Sequence, residues 1–235
     1  MTDPPEGKRT KLISFSGIDG AGKSTQIANL CSVLQEAGFT VQLITFWDDV
    51  ATFKWVREGV GHSVFRGDKG VGTPEVPIHR RDKNVQFPLV TLFRMVMYVF
   101  DARSLRKISK SAMRSEVDVV IFDRYLYDEL ANLNLKNAAT RVYLREIVRL
   151  VPRPLVSFIL DADPKQAFSR KPEYPLDFLY SNRRSYLMLS RILGGMTVIR
   201  PAPIHEAKRE VVRQVFRGLW GRNPPGTDAE FVATD

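Results

Sequence analysis

The sequence predicts a three-layer α/β fold: a five-stranded parallel sheet flanked by helices. Short apolar runs alternate with helical patterns along the chain. The first run passes straight into a glycine-rich turn and then a helix, a strand–turn–helix start. The run at residues 119–122, Val-Val-Ile-Phe, is continuously apolar, as a central strand covered on both faces must be.

Each element has its own signal. Residues 11–16 form a short apolar strand, and Ile27, Leu30, Cys31 and Leu34 recur at helical spacing before Gly38 closes the helix. Residues 39–46 read as a second strand, completing a βαβ unit with a right-handed crossover. Residues 88–115 predict a long helix and 117–122 a third strand, with helical segments across 125–150. Strands follow at 154–160 and 197–199, and helices at 164–170, 177–193 and 203–218. No linker separates two self-sufficient cores, so residues 1–235 read as one domain with loose ends at 1–10 and 222–235.

Composition bounds the rest. The 235 residues are 44% hydrophobic and 26% charged, which excludes a largely disordered chain and a membrane bundle. The longest apolar stretch, 87–100, carries Arg94 and stops at Asp101, short of the roughly 20 apolar residues a bilayer span needs. The start is polar, without a signal-peptide core, and the single cysteine, Cys31, allows no internal disulfide. Both point to a reducing compartment and a cytoplasmic protein. The net charge of +9 attracts phosphate in any form, so by itself it does not choose a partner. The segment 59–88 is rich in Gly and Pro and holds Arg66, Lys69, His79, Arg80, Arg81 and Lys83. It reads as a solvated loop, or one folding over an anionic acceptor, in preference to a nucleic-acid face.

Gly17 and Gly22-Lys23-Ser24 complete G-x-x-x-x-G-K-[ST], in the strand-to-helix context that the motif's chemistry needs. Its glycines (Gly17, Gly20, Gly22) let backbone N–H groups converge on an anion, and the helix beginning near Ser24 and Thr25 adds its positive dipole end. Lys23 can reach the β- and γ-phosphates of ATP, and the Ser24 hydroxyl can ligate Mg²⁺. Asp123 ends the third apolar run, where a metal-organising carboxylate lies in phosphate-loop proteins, and Arg124 follows at the carboxyl edge of the sheet. The plainer reading of that pair is a buried Asp–Arg contact closing a strand, or a helix-capping Asp.

These residues and their order resemble the thymidylate kinases within the nucleoside monophosphate kinase group. Ser16-Gly17-Ile18-Asp19-Gly20-Ala21-Gly22-Lys23-Ser24-Thr25 is similar to that family's phosphate loop, and Asp123-Arg124-Tyr125 to its Asp-Arg-aromatic motif. Leu160-Asp161-Ala162-Asp163-Pro164 with Ala167 and Arg170 resembles the segment entering the lid; Phe178, Arg184 and Tyr186-Leu187 resemble the helix leaving it. Arg183 and Arg184 are adjacent on that helix, so only one can face the site. The resemblance implies a P-loop kinase that phosphorylates a nucleoside monophosphate with ATP and Mg²⁺, and a homodimer. It implies that Gly17, Gly20, Ala21, Gly22, Lys23, Ser24, Thr25 and Arg200 hold ATP, and that Ser24 and Asp123 attend the metal. Lys23, Asp123, Arg124 and Arg170 would be catalytic; Asp19, Arg103, Phe100 and Tyr125 would meet the acceptor, with Tyr98 an alternative stacking ring.

The departures cluster on the acceptor side and the lid. Ser16 stands where the family usually has Glu, and Thr45-Phe46-Trp47-Asp48-Asp49 replaces its Arg-Glu-Pro-Gly. Asp128 and Asn132 replace its Ser and Tyr, and the lid, 170–177, is short. The other readings are a kinase of a nucleoside or sugar derivative, with Asp19, Asp48 or Asp49 as base, and a non-catalytic nucleotide-binding regulator.

Overall fold

The computed structural model describes residues 10–52 and 88–220. The basic segment 59–87 and the two ends beyond 9 and 220 lie outside the described residues. In chain order the elements are β1 (Lys11–Ser16), α1 (Lys23–Glu36), β2 (Val41–Thr45), α2 (Pro88–Ala112), β3 (Val119–Asp123), α3 (Leu126–Leu130) and α4 (Ala138–Ile147). Then come β4 (Val156–Leu160), α5 (Pro164–Arg170), α6 (Leu176–Leu193), β5 (Met196–Ile199) and α7 (Ile204–Trp220).

The five strands form one parallel sheet in the order β2-β3-β1-β4-β5. Alternation along each strand divides the core into two. Leu12, Ile44, Val120, Phe122 and Ile159 face the layer that contains Tyr98, Leu105, Leu130, Leu144 and Leu189. Ile13, Phe15, Val119, Ile121 and Phe158 face Ile27, Leu30 and Leu34 of α1 and Val211, Val215 and Phe216 of α7. The Phe15 and Phe158 rings stack across the β1–β4 pair at 5.0 Å between centroids. Each ring is fully buried, an effect of about 1.5–3 kcal/mol for a side chain of this size.

Two element boundaries have clear local causes. The second strand stops at Thr45 because the Asp49 carboxylate accepts the Thr45 N–H at 2.7 Å, and Phe46–Val50 winds into one wide turn. The helical segments expected across 125–150 are α3, α4 and a single tight turn at Val148–Leu150. Asn137 caps α4, accepting from the N–H groups of Ala139 at 2.8 Å and Thr140 at 3.4 Å.

This topology positions the site. β1 lies between β3 and β4, and register pairs Phe15 with both Asp123 and Phe158. The loop after β1 therefore opens between the ends of β3 and β4, where open α/β sheets bind ligands. No described helix is long and apolar enough to cross a membrane.

Candidate active site

The loop from Gly17 to Gly22 owes its path to backbone that side chains would block. Gly17 has φ 144° and Gly20 φ 80°, and a Cβ at either would run into a carbonyl, that of Leu160 or of Ala167. The loop is thus seated on the end of β4 and on α5. At Gly22, φ 88°, a Cβ would meet nothing within 4 Å, so the backbone there faces open space. No side chain caps α1, and its first turn holds no acidic residue. Its leading N–H groups are left for an anion. Ser24 and Thr25 are exposed on that turn, and Ala21 is half-buried.

Lys23 is buried and curls back over the loop, donating from Nζ to the carbonyls of Gly17 and Ile18, both at 2.9 Å. Burial, and then the charge of Arg124, lower its pKa to about 8, against the raising effect of Asp19, Asp128 and Asp123. Arg124 is the opposite case. Burial works against its charge too, but Asp19 and Asp128, with Tyr186, hold its pKa above the ordinary value. The guanidinium pairs directly with Asp19 and lies 3.4 Å from Asp128 Oδ1. Its backbone is left-handed, φ 68°, and its N–H donates to the Phe15 carbonyl at 2.9 Å. Such a conformation costs a non-glycine residue about 1–3 kcal/mol and persists only where the surroundings hold it.

Asp128 is the residue that reading along the chain missed as part of the site. It is 4% exposed and accepts four hydrogen bonds. Ser16 Oγ (2.6 Å) and the Tyr125 N–H (3.0 Å) meet Oδ2. Tyr186 Oη (2.8 Å) and the Arg124 guanidinium (3.4 Å) meet Oδ1. The two departures at Ser16 and Asp128 are therefore one contact. The available signal was a carboxylate among Leu126, Tyr127 and Leu130, where an unpartnered charge would be costly.

Arg170 is exposed, and its guanidinium donates to the Gly20 carbonyl at 3.2 Å. Beyond it, the segment expected as a lid packs down: Pro172, Glu173 and Tyr174 are buried, and the Tyr174 ring lies 5.0 Å from that of Phe178. Arg183, not Arg184, turns to the sheet. It holds Asp161, at the end of β4, with two hydrogen bonds of 2.6 and 2.8 Å, while Arg184 is exposed.

Tyr125 requires correction. It was expected to meet the acceptor, but it is fully buried, its ring 5.3 Å from Phe122 and 5.1 Å from Tyr127, and its hydroxyl donates to the Pro152 carbonyl at 2.5 Å. It is a core residue. Tyr98 is likewise buried. Phe100 and Arg103 lie together on an exposed face of α2, the guanidinium 6.0 Å from the ring centroid. Arg200 is exposed beyond edge strand β5. The structure thus gathers Gly17, Asp19, Gly20, Ala21, Gly22, Lys23, Ser24, Thr25, Arg124 and Arg170 around one crevice. Asp123 stands beside Arg124 at the β3 end, close enough for its charge to act on Lys23. Arg103, Phe100 and Arg200 stand on the surfaces of other elements.

No family model matches the chain. It is 24% identical to a probable thymidylate kinase of Methanosphaera stadtmanae over 212 residues, 88% of this chain and 98% of that protein. It is 30% identical to a thymidylate kinase of Chlorobaculum tepidum over 163 residues, 68% of this chain and 66% of that protein. Among solved structures, a thymidylate kinase from Ehrlichia chaffeensis superposes with a TM-score of 0.58 at 19% identity, covering 88% of this chain and 99% of its own. With the phosphate loop, the sheet order and these relatives in agreement, the chain is a thymidylate kinase-like member of the nucleoside monophosphate kinase group.

Proposed function

We propose that the chain, acting as a single kinase domain in the cytoplasm, transfers the γ-phosphoryl group of ATP to a nucleoside monophosphate, with thymidylate as the principal acceptor. The observation that carries this reading is the uncapped start of α1 with the Arg124–Asp19 pair close beside its Lys23. One side suits a triphosphate and the other a second anion.

The acceptor phosphate is already ionised, so one of its oxygens attacks the γ-phosphorus without a strong base. The new O–P bond forms as the bridge to the β-phosphate breaks, and ADP leaves. Lys23 would give up its two carbonyl partners for phosphate oxygens. Arg124 would steady the acceptor phosphate and the charge developing during transfer, and Arg170 the donor phosphates. Asp19, already paired with Arg124, would line the acceptor side. Arg103 and Phe100 would reach the base from α2, and Arg200 the adenine. Mg²⁺ suits the oxygen donors here: the exposed Ser24 hydroxyl and Asp123 would hold it, and it would neutralise phosphate charge. No group of three metal-ligating side chains stands together among the described residues, so the phosphates and water would complete its shell.

We also infer a homodimer. Leu89, Leu92, Phe93, Val96 and Phe100 form an exposed apolar stripe at helical spacing on α2, with Leu89 81% exposed. Light scattering after size exclusion should give twice the chain mass.

The test of the main reading is ADP release coupled to a panel of monophosphates, nucleosides and sugars. Turnover should require a monophosphate. If ATP binds but no monophosphate is phosphorylated, the reading is wrong.

A further inference from the structure

Asp128 supports an assignment that goes deeper into the proposed phosphoryl transfer and rests on that reading. A buried carboxylate is stable only if donors surround it, and the sources of these donors are informative. Ser16 is the last residue of β1, immediately before the phosphate loop; Tyr125 N–H belongs to the turn after β3; Tyr186 lies on α6, beyond the packed segment 171–175. One carboxylate therefore ties together the donor loop, the acceptor arginine and the helix that follows the lid position.

Arg124 lies between two carboxylates of different kinds. Asp19 belongs to the loop after β1. Asp128 is anchored by three donors that do not come from the guanidinium, so it is a fixed point. Its distance to Arg124 Nη1, 3.4 Å, is long for a hydrogen bond, so it orients the guanidinium mainly by charge, while Nη2 is paired with Asp19. The left-handed backbone at Arg124 requires such external support.

We propose that Asp128 is a positioning residue for phosphoryl transfer, fixing the direction of the Arg124 guanidinium, with Ser16 and Tyr186 as its anchors on β1 and α6. Because the Ser16–Asp128 contact pairs one hydroxyl with one carboxylate, exchanging the two should preserve it.

The variants are Asp128→Asn, Asp128→Ser, Tyr186→Phe and the double exchange Ser16→Asp with Asp128→Ser. They are read by kcat and KM for donor and acceptor. A second readout needs no turnover: side-chain NMR of arginine-labelled protein, with the Arg124 signal assigned by Arg124→Lys. Asp128→Asn and Asp128→Ser should lower kcat about 100-fold, the scale of a misplaced group, with donor KM within about threefold. Both should also lose the slowly exchanging Arg124 guanidinium signal. Tyr186→Phe should cost severalfold. The double exchange should regain at least about tenfold over Asp128→Ser, together with the signal. Should Asp128→Ser fail to fold, Asp128→Asn and Tyr186→Phe decide. A folded Asp128→Asn with an unchanged Arg124 signal and kcat within about threefold of the parent overturns the proposal. Loss of the Arg124 signal in Asp128→Asn, in a parent that phosphorylates no monophosphate, would support the positioning and sink the kinase reading instead.

Discussion

In the proposed reading the site has a donor wall and an acceptor wall, and the two are assembled in different ways. The donor wall, Gly17 to Thr25, is one unbroken stretch of chain whose backbone makes the cradle. The acceptor wall joins Arg124 to Asp19, and through Asp128 to Ser16 and Tyr186, with Ser16 and Asp128 112 positions apart and Asp128 and Tyr186 58 apart. The buried cations follow the same division. Lys23, whose hydrogen-bond partners among the described residues are backbone carbonyls, is pushed down to about 8; Arg124, set among carboxylates, is held charged. A cradle made of local backbone depends little on the side chains around it, whereas in a network of distant side chains such as Ser16 and Asp128 each member depends on the others.

The largest effect should come from the donor wall. Lys23→Ala should cut turnover by about 10²–10³-fold or more, the scale of losing one preorganised donor. Its melting temperature should not fall, because burial already disfavours that ammonium. If turnover survives, Lys23 is not aimed at the phosphates. Asp123→Asn should come next: about 10²-fold in turnover, with nucleotide affinity, measured by calorimetry, much less affected. Equal losses in both would move Asp123 from the reaction to binding alone.

Acidity separates the walls without a mutation. The unfolded chain keeps the Lys23 proton up to its ordinary 10.5, whereas the folded free protein releases it near 8. Lys23 therefore makes folding more favourable as pH rises from about 8 to 10.5, since there the unfolded state binds more protons. Bound phosphate favours the charged amine. Nucleotide affinity should fall above pH 8 by at most about tenfold per unit, with proton uptake on binding. Calorimetry in buffers of different ionisation enthalpy measures that uptake, and its absence would mean that Lys23 stays charged throughout. The smallest expected change is at the Arg183–Asp161 pair. Arg183→Lys keeps the charge but loses the two-pronged geometry, and should cost no more than about 1 kcal/mol in a denaturant titration.

Periodicity and one motif sufficed to foresee the layers, the approximate strand positions and the glycine-rich turn after β1, because each depends on residues within a few positions of one another. Helical spacing at Ile27, Leu30 and Leu34 decides which side chains of α1 are buried, and alternation in β1 decides which side of the sheet each side chain faces. The acceptor wall was less legible. Tyr125 follows Arg124 in sequence, yet it turns into the core to reach Pro152, while the guanidinium turns to Asp19. Arg183 and Arg184 are neighbours, and the phase of α6 alone sends the first to Asp161. Asp128 looks like a stray charge until sheet register brings the ends of β1 and β3 side by side. Side-chain direction at the end of a strand or on one helix face depends on register and rotation against distant partners, and contacts across a hundred residues carry no local period to reveal them.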